Sequence, residues 1–134
     1  MVKVKKKPTV SSLKKKADQV FSTWVRLSNA AFDGTVACVT CGAVKPWKEQ
    51  QAGHYERRSK NGLRYSETNV HVQCVGCNVF QHGNYPRYAQ FMVKTYGQSI
   101  LSELEEEAKK LHKFTVQELE GIIAEYKAKI AGLT

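Results

Sequence analysis

Hydrophobic residues recur at helical spacing near the start of the chain, which predicts an amphipathic helix. Ser11 or Ser12 can act as its N-cap. Asp33-Gly34 is a turn signal, so we expect the helix to end between Asn29 and Gly34. The apolar stripe consists of Leu13, Ala17, Val20, Phe21, Trp24 and Val25.

The last third of the chain shows the same helical spacing in three further segments. We expect helices over residues 87–96, with Gly97 as C-cap, and over residues 99–111. The sequence Thr115-Val-Gln-Glu118 is a capping box and predicts a last helix that reaches Ile130. Their apolar faces are most simply core, and a homodimer through them is the alternative.

The middle of the chain lacks helical spacing until Asn78. Residues 51–55 and 63–72 read as two extended segments that flank a basic turn at 57–62. A helix is predicted to open at Asn78 and to end or break at Gly83-Asn84. The predicted fold is therefore α+β and mostly helical, with an N-terminal basic helix and C-terminal helices.

Length and composition predict one compact soluble domain. The chain has 134 residues, of which 42% are hydrophobic and 25% charged. No apolar run approaches the ~20 residues that span a bilayer, and no secretory signal follows the basic N-terminus, so we expect no membrane association. We divide the chain into a disordered basic tail (1–10), a core that contains all four cysteines (11–97) and C-terminal helices for packing or dimerisation (98–134).

The net charge of +9 is concentrated in the first two-thirds of the chain. Residues 1–30 carry eight basic side chains against one acid, whereas residues 101–134 carry five against seven. This asymmetry favours a polyanion, and hence nucleic acid, as partner. The predicted phosphate contacts are Lys14, Lys15, Lys16, Arg57, Arg58, Lys60 and Arg64.

The four cysteines form two Cys-x-x-Cys pairs separated by 32 residues. Two such pairs complete a tetrahedral zinc site, and four thiolates leave no open position for water. We therefore predict one structural Zn²⁺ held by Cys38, Cys41, Cys74 and Cys77.

Three polar residues lie between or directly after the zinc knuckles. Phosphodiester hydrolysis needs a base for water and a divalent cation for the phosphate. His54 is a suitable base near neutral pH, and Asn78 can offer an oxygen ligand to Mg²⁺ or Mn²⁺. Asn69 is predicted to orient the imidazole, and Arg57 or Arg58 to hold the phosphate.

These residues resemble the zinc-bound HNH, or His-Me finger, nucleases, and the Cys77-Asn78 junction is similar to that of endonuclease VII. The stretches AGHYERRS and RYSETNVHVQCVGCNVFQHGN, with the basic opening helix, resemble more closely the NinG/Rap recombination proteins of lambdoid phages. The resemblance covers roughly residues 10–130, and it implies that residues 11–97 form a DNA-binding, zinc HNH-like nuclease core. It implies a ββα-metal motif in which His54 is the general base, Asn78 the metal ligand and Asn69 the middle asparagine. It also implies a phage- or prophage-encoded, cytoplasmic endonuclease for Holliday junctions and D-loops, without a small-molecule cofactor.

One position departs from the nuclease pattern. Many of these enzymes have Asp or His directly before the base as a second metal ligand, whereas this chain has Gly53. Glu67, His71 and His82 are the candidate substitutes. Two further functions stay open, a catalytically silent zinc-dependent DNA-binding module and a zinc scaffold for protein partners.

Overall fold

The computed structural model describes residues 7–133, so most of the predicted basic tail lies outside the described residues. About half of the described residues are helical, and the fold is mixed α+β, as predicted. The helices are α1 (Val10–Ser28), α2 (Tyr85–Tyr96), α3 (Ile100–Lys109) and α4 (Val116–Ala131). The strands are β1 (Thr35–Ala37), β2 (Val44–Pro46), β3 (Gln51–His54) and β4 (Val70–Gln73).

Helix α1 begins earlier than predicted. Thr9 is its N-cap, and Ser12 is the third helical residue of a reciprocal capping box, so neither Ser11 nor Ser12 caps the helix. The Thr9 hydroxyl accepts from the Ser12 amide at 3.1 Å, and the Ser12 hydroxyl accepts from the Thr9 amide at 3.0 Å. A serine can thus take the glutamate position of this motif.

The apolar stripe of α1 is the centre of the core, as predicted. Phe21 and Val25 pack with Val70 and Val72 of β4 and with Tyr126 of α4. Nearer the start of α1, the buried residues that meet α4 form a second cluster. This cluster contains Leu13, Ala17, Phe114, Leu119 and Ile123. The apolar face of α4 therefore packs on α1.

Two antiparallel hairpins follow α1. The β1–β2 hairpin carries the first cysteine knuckle in its turn, and the sequence reading missed it because both strands have only three residues. The β3–β4 hairpin pairs His54 with Val70 and Gly53 with His71. Its second strand is shorter than the predicted 63–72 segment, because a 3-10 turn at Asn61–Leu63 and further turns up to residue 69 precede it.

The predicted helix at Asn78 is a single π-helical turn, Gly76–Phe80. The Gln81 amide closes it by donating to the Gly76 carbonyl at 2.9 Å. The chain cannot continue as a helix, because His82, Gly83 and Asn84 all have positive φ angles. Helix α2 then starts after Asn84.

Helices α2 and α3 build a third buried apolar cluster, which contains Leu63, Tyr88, Met92, Ile100 and Leu104. Gly97, with φ of 101°, ends α2 as predicted. The buried Tyr88 hydroxyl donates to the Gly53 carbonyl at 2.7 Å and so fixes α2 to β3 directly before His54. Among residues 7–133, every helix is too short or too polar to cross a lipid bilayer.

Candidate metal centre and catalytic cavity

The four cysteines converge on one point. Their Sγ atoms all lie within 4.8 Å of one another, and Cys41 Sγ is 3.6 Å from Cys74 Sγ. A tetrahedral zinc with ~2.3 Å Zn–S bonds places its sulfurs ~3.8 Å apart. The four residues can therefore hold one zinc ion, and none forms a disulfide.

Local hydrogen bonds fix the backbone of both Cys-x-x-Cys turns. Gly42, with φ of 80°, turns the first knuckle, and its amide donates to the Cys38 carbonyl at 2.9 Å. Burial raises the pKa of the Cys38 thiol, but hydrogen bonds from the Thr40 hydroxyl and from backbone amides outweigh it and lower this pKa to about 6. In the second knuckle, the Cys77 amide donates to Cys74 Sγ at 3.4 Å. A readily formed thiolate suits metal binding.

A cavity of about 590 Å³ lies between α1, the β3–β4 hairpin and the π-helical turn. His54 and Asn78, which are 24 positions apart in the sequence, both line it. Four arginines and one acid, Asp18, also line it. The arginines are Arg26, Arg57, Arg58 and Arg64. Positive side chains therefore outnumber the acid around the predicted base.

The backbone fixes the tautomer of His54. Its Nε2 lies 2.9 Å from the Arg64 carbonyl oxygen, which can only accept, so Nε2 carries the proton. Its Nδ1 has no hydrogen-bond partner among residues 7–133. Burial lowers the pKa of His54 below its usual 6.5; the Arg64 carbonyl opposes this shift, and the positive charge of Arg58 adds to it. His54 is therefore a neutral acceptor at pH 7.

An ion pair between α1 and the loop holds that carbonyl in place. Asp18 accepts from Arg64 through both carboxylate oxygens, with 2.7 Å between Oδ1 and Nε. The Tyr65 hydroxyl adds a third bond to Oδ1 at 2.8 Å, and burial and the neighbouring Asp18 raise the Tyr65 pKa, which keeps this hydroxyl a donor. The contact chain runs from Asp18 through Arg64 to His54.

Asn69 does not hydrogen-bond the imidazole of His54, which is the role predicted for it. It is fully buried, and within residues 7–133 its side chain bonds only to backbone groups. Its Oδ1 accepts from the Glu56 amide at 2.8 Å, and its Nδ2 donates to the Leu63 carbonyl at 3.1 Å. Asn69 thus fixes both ends of the loop that carries the Arg64 carbonyl, and it reaches the imidazole only through this backbone.

Asn78 is oriented by a residue that the sequence reading missed. Its Nδ2 donates to Gln51 Oε1 at 2.8 Å. Its Oδ1 accepts no hydrogen bond within the described part of the chain, and the residue lines the cavity. A lone carbonyl oxygen here can serve as a ligand for a hard divalent cation.

The position before His54 has no room for a side chain. A Cβ on Gly53 would lie 1.8 Å from Gln73 Oε1, and Gln73 is itself fully buried. The Gln73 amide is held by its bond to the Gly83 carbonyl at 2.8 Å. The space that an acidic ligand would need is therefore filled by Gln73.

None of the three candidate substitutes lines the cavity. Glu67 accepts from Tyr126 and Lys129 at 2.7 and 2.9 Å. Both ring nitrogens of His71 meet tyrosine hydroxyls, of Tyr88 and Tyr96, and burial lowers its pKa to about 4. His82 is exposed in the turn after Asn78.

The predicted DNA-contact cations fall into two groups. Arg57, Arg58 and Lys60 are exposed in the loop beside the cavity, whereas Arg64 is engaged by Asp18. The Lys14 ammonium lies 5.7 Å from the centre of the Phe114 ring. Lys15 and Lys16 are exposed on α1, and Lys16 is close enough to Lys127 of α4 to lower its pKa.

The whole chain, residues 1–134, matches the family described as Bacteriophage Lambda NinG protein. The chain belongs to the NinG family. The proteins named ninG from Salmonella phage P22 and Escherichia phage lambda are each 32% identical to it over 120 residues. These alignments cover 89% of this chain and 56% of each relative, so this NinG-family chain spans little more than half their length. No solved structure matches it significantly.

Some site residues of this NinG-family chain were missed because their signals are weak. Asp18 is the single acid among the first 30 residues, and an acid alone in a basic helix could have marked it as a partner for a buried cation. Arg26 lies eight residues after Asp18 on the same helical face, so spacing could have placed it in the cavity. Gln51 gives no such signal.

Proposed function

We propose that this NinG-family chain is a metal-dependent endonuclease that hydrolyses phosphodiester bonds in branched DNA such as Holliday junctions and D-loops. One observation carries the proposal: neutral His54 and Asn78 share an arginine-lined cavity, and within residues 7–133 neither His54 Nδ1 nor Asn78 Oδ1 has a hydrogen-bond partner. Phage NinG membership is compatible with this activity. The preference for branched DNA rests on the resemblance to the NinG/Rap recombination proteins.

His54 acts as the general base in this proposal. Its Nδ1 takes a proton from a water molecule, and the oxygen of that water attacks the scissile phosphorus. The Arg64 carbonyl holds Nε2–H and stabilises the imidazolium that forms. Because the ring is neutral at pH 7, it is ready to accept this proton.

Asn78 would hold the divalent cation through Oδ1, while Gln51 fixes the amide. Mg²⁺ or Mn²⁺ at this position supplies charge neutralisation for the phosphate and the leaving 3′-oxygen. The cavity lining has four arginines and one acid, which disfavours a cation in the absence of DNA. Phosphate oxygens and water, which Mg²⁺ commonly keeps as ligands, would complete the coordination.

The arginine side chains would bind the DNA backbone. Arg57 and Arg58 are exposed at the cavity and can contact the phosphate that His54 and Asn78 flank. The β3–β4 hairpin, the zinc knuckle and the turn at Asn78 would then correspond to the ββα-metal motif of the HNH nucleases. A zinc ion at the four cysteines would fix the β1–β2 turn against the π-helical turn and so place Asn78.

A zinc-dependent DNA-binding module without catalysis is the second candidate. The buried Gln73 beside Gly53 favours it, since this arrangement removes the usual second metal ligand. Arginines and zinc would be retained in such a module, but Asn78 Oδ1 would have no ligand role.

A nicking assay separates the two candidates. A labelled synthetic four-way junction and a linear duplex of the same sequence are incubated with the protein in Mg²⁺, in Mn²⁺ and in buffer without divalent cations. A chelator is avoided, because it would also attack the four-cysteine zinc. The proposal predicts cleavage of the junction only with a divalent cation; binding without cleavage under all three conditions would support the silent module.

A further inference from the structure

The turn between Asn78 and Tyr85 exposes two large apolar side chains. Val79 is 50% and Phe80 76% exposed. Asn78 and Tyr85 both line the catalytic cavity, so the turn that joins them runs along its rim. An exposed aromatic ring beside an arginine-lined cavity suits a partner that combines a flat apolar surface with an anionic backbone.

The turn is held in place by bonds to buried groups. The Gly83 amide donates to the Cys77 carbonyl at 2.9 Å, and Gln73 Nε2 donates to the Gly83 carbonyl at 2.8 Å. Asn84 Nδ2 lies 3.5 Å from Cys77 Sγ. The backbone that carries Phe80 is therefore held in one conformation and is bonded to Cys77, a candidate zinc ligand. Less conformational entropy is then lost when Phe80 binds a partner.

A nucleobase matches both requirements. Its face stacks on an aromatic ring, and this contact tolerates any base sequence. Within a continuous duplex the base faces are covered by their neighbours, whereas a branch point interrupts the stack. Arg57 and Arg58 on the same cavity can bind the phosphates of the strand that carries the unstacked base.

We propose that Phe80, flanked by Val79, stacks on a nucleobase left open at a DNA branch point and so directs branched DNA, rather than continuous duplex, into the cavity. This inference rests on the proposed function for its location, but it concerns binding and not cleavage.

The test compares the full chain with Phe80→Ala, Phe80→Trp and Phe32→Ala. Phe32 is a matched control, because it is fully exposed but lines a different cavity with Leu133. The probes are a four-way junction with 2-aminopurine at the crossover and a linear duplex of the same sequence. Dissociation constants are measured by fluorescence anisotropy without Mg²⁺ or Mn²⁺, and base stacking by quenching of 2-aminopurine.

We expect Phe80→Ala to bind the junction at least about fivefold more weakly, to leave duplex binding unchanged and to lose the quenching. Phe80→Trp should keep both, and Phe32→Ala should behave as wild type. Equal loss on both DNAs, or no loss, would overturn the proposal. A changed oligomeric state of Phe80→Ala in size-exclusion chromatography, with junction binding intact, would instead mean that a second copy of the chain covers this turn.

The experiment keeps this inference separate from the proposed function. Wild-type protein that binds and quenches but never cuts would contradict the nuclease while leaving the stacking role in place. Cleavage by Phe80→Ala with wild-type preference for junctions would contradict the stacking role alone.

Discussion

Asp18→Asn is an informative substitution, because Asp18 contacts neither the attacking water nor the scissile phosphate in the proposed reaction. Asp18 acts on His54 only through Arg64. Asp18→Asn keeps the shape of the side chain but replaces one acceptor oxygen of the Arg64 pair with a donor group. The side chains of Asp18 and Arg64 are 21% and 12% exposed, between a surface pair and a buried one. The expected loss of unfolding free energy is therefore about 2 kcal/mol.

The effect on cleavage comes through the backbone. Without its ion pair, the Arg64 carbonyl is free to move, and His54 loses the acceptor that fixes its tautomer and angle. A shift of about 1 Å in a reacting group can cost about 10²-fold in rate. We expect single-turnover cleavage of a four-way junction to fall about 10- to 100-fold.

DNA binding should respond in the opposite direction. Asp18→Asn removes a negative charge from the cavity and frees a guanidinium, so the protein should bind DNA as tightly as wild type or more tightly. The comparison uses single-turnover rates, anisotropy and thermal unfolding. Asp33→Asn is the control, since Asp33 is an exposed acid in the turn before β1 that accepts hydrogen bonds from Thr35 and does not line the cavity. Cleavage at the wild-type rate, or weaker DNA binding by the folded variant, would refute the positioning argument.

The metal centre, the lysines of α1 and the titration of His54 each give one further prediction. Elemental analysis should find zinc in wild type and none in Cys77→Ser, whose centre should unfold because metal binding and folding are coupled. A folded Cys77→Ser variant with the zinc content of wild type would contradict the four-cysteine site. Replacement of Lys14, Lys15 and Lys16 by Ala should lower the salt slope of DNA binding by about one for each true phosphate contact, and an unchanged slope would remove the start of α1 from the interface. The cleavage rate should be constant at neutral pH and fall on acidification only below about pH 6.5, as His54 becomes protonated. Arg58→Gln should shift this fall to higher pH, since Arg58 lowers the His54 pKa. A rate that already falls above pH 7 in wild type would argue against His54 as the base.

Local patterns in the sequence predicted the elements that depend on local chemistry. The spacing of the four cysteines predicted a cluster that the fold brings within 4.8 Å. The stripe around Phe21 and Val25 predicted the face of α1 that is buried. Gly97 predicted the end of α2, because a left-handed backbone there requires glycine.

Contacts between distant residues escaped the sequence reading. Asp18 and Arg64 are 46 positions apart, and no periodicity links a helix residue to a loop residue. Asn69 was expected at the imidazole, but a buried amide in a loop satisfies the nearest backbone groups first. From the sequence, Gly53 was noticed only because it lacks the side chain of a second metal ligand. That Gln73 occupies the space of such a side chain is shown only by the folded structure.

Single-turnover cleavage of a labelled four-way junction in Mn²⁺, by wild type and by His54→Ala, shows whether His54 is the general base. His112→Ala is the matched control, because His112 is an exposed histidine outside the cavity that pairs with Glu118. We predict that His54→Ala keeps its zinc, its fold and its junction affinity but cuts about 10²- to 10⁴-fold more slowly, whereas His112→Ala cuts like wild type. Cleavage by His54→Ala at the wild-type rate would contradict the role of His54 as general base.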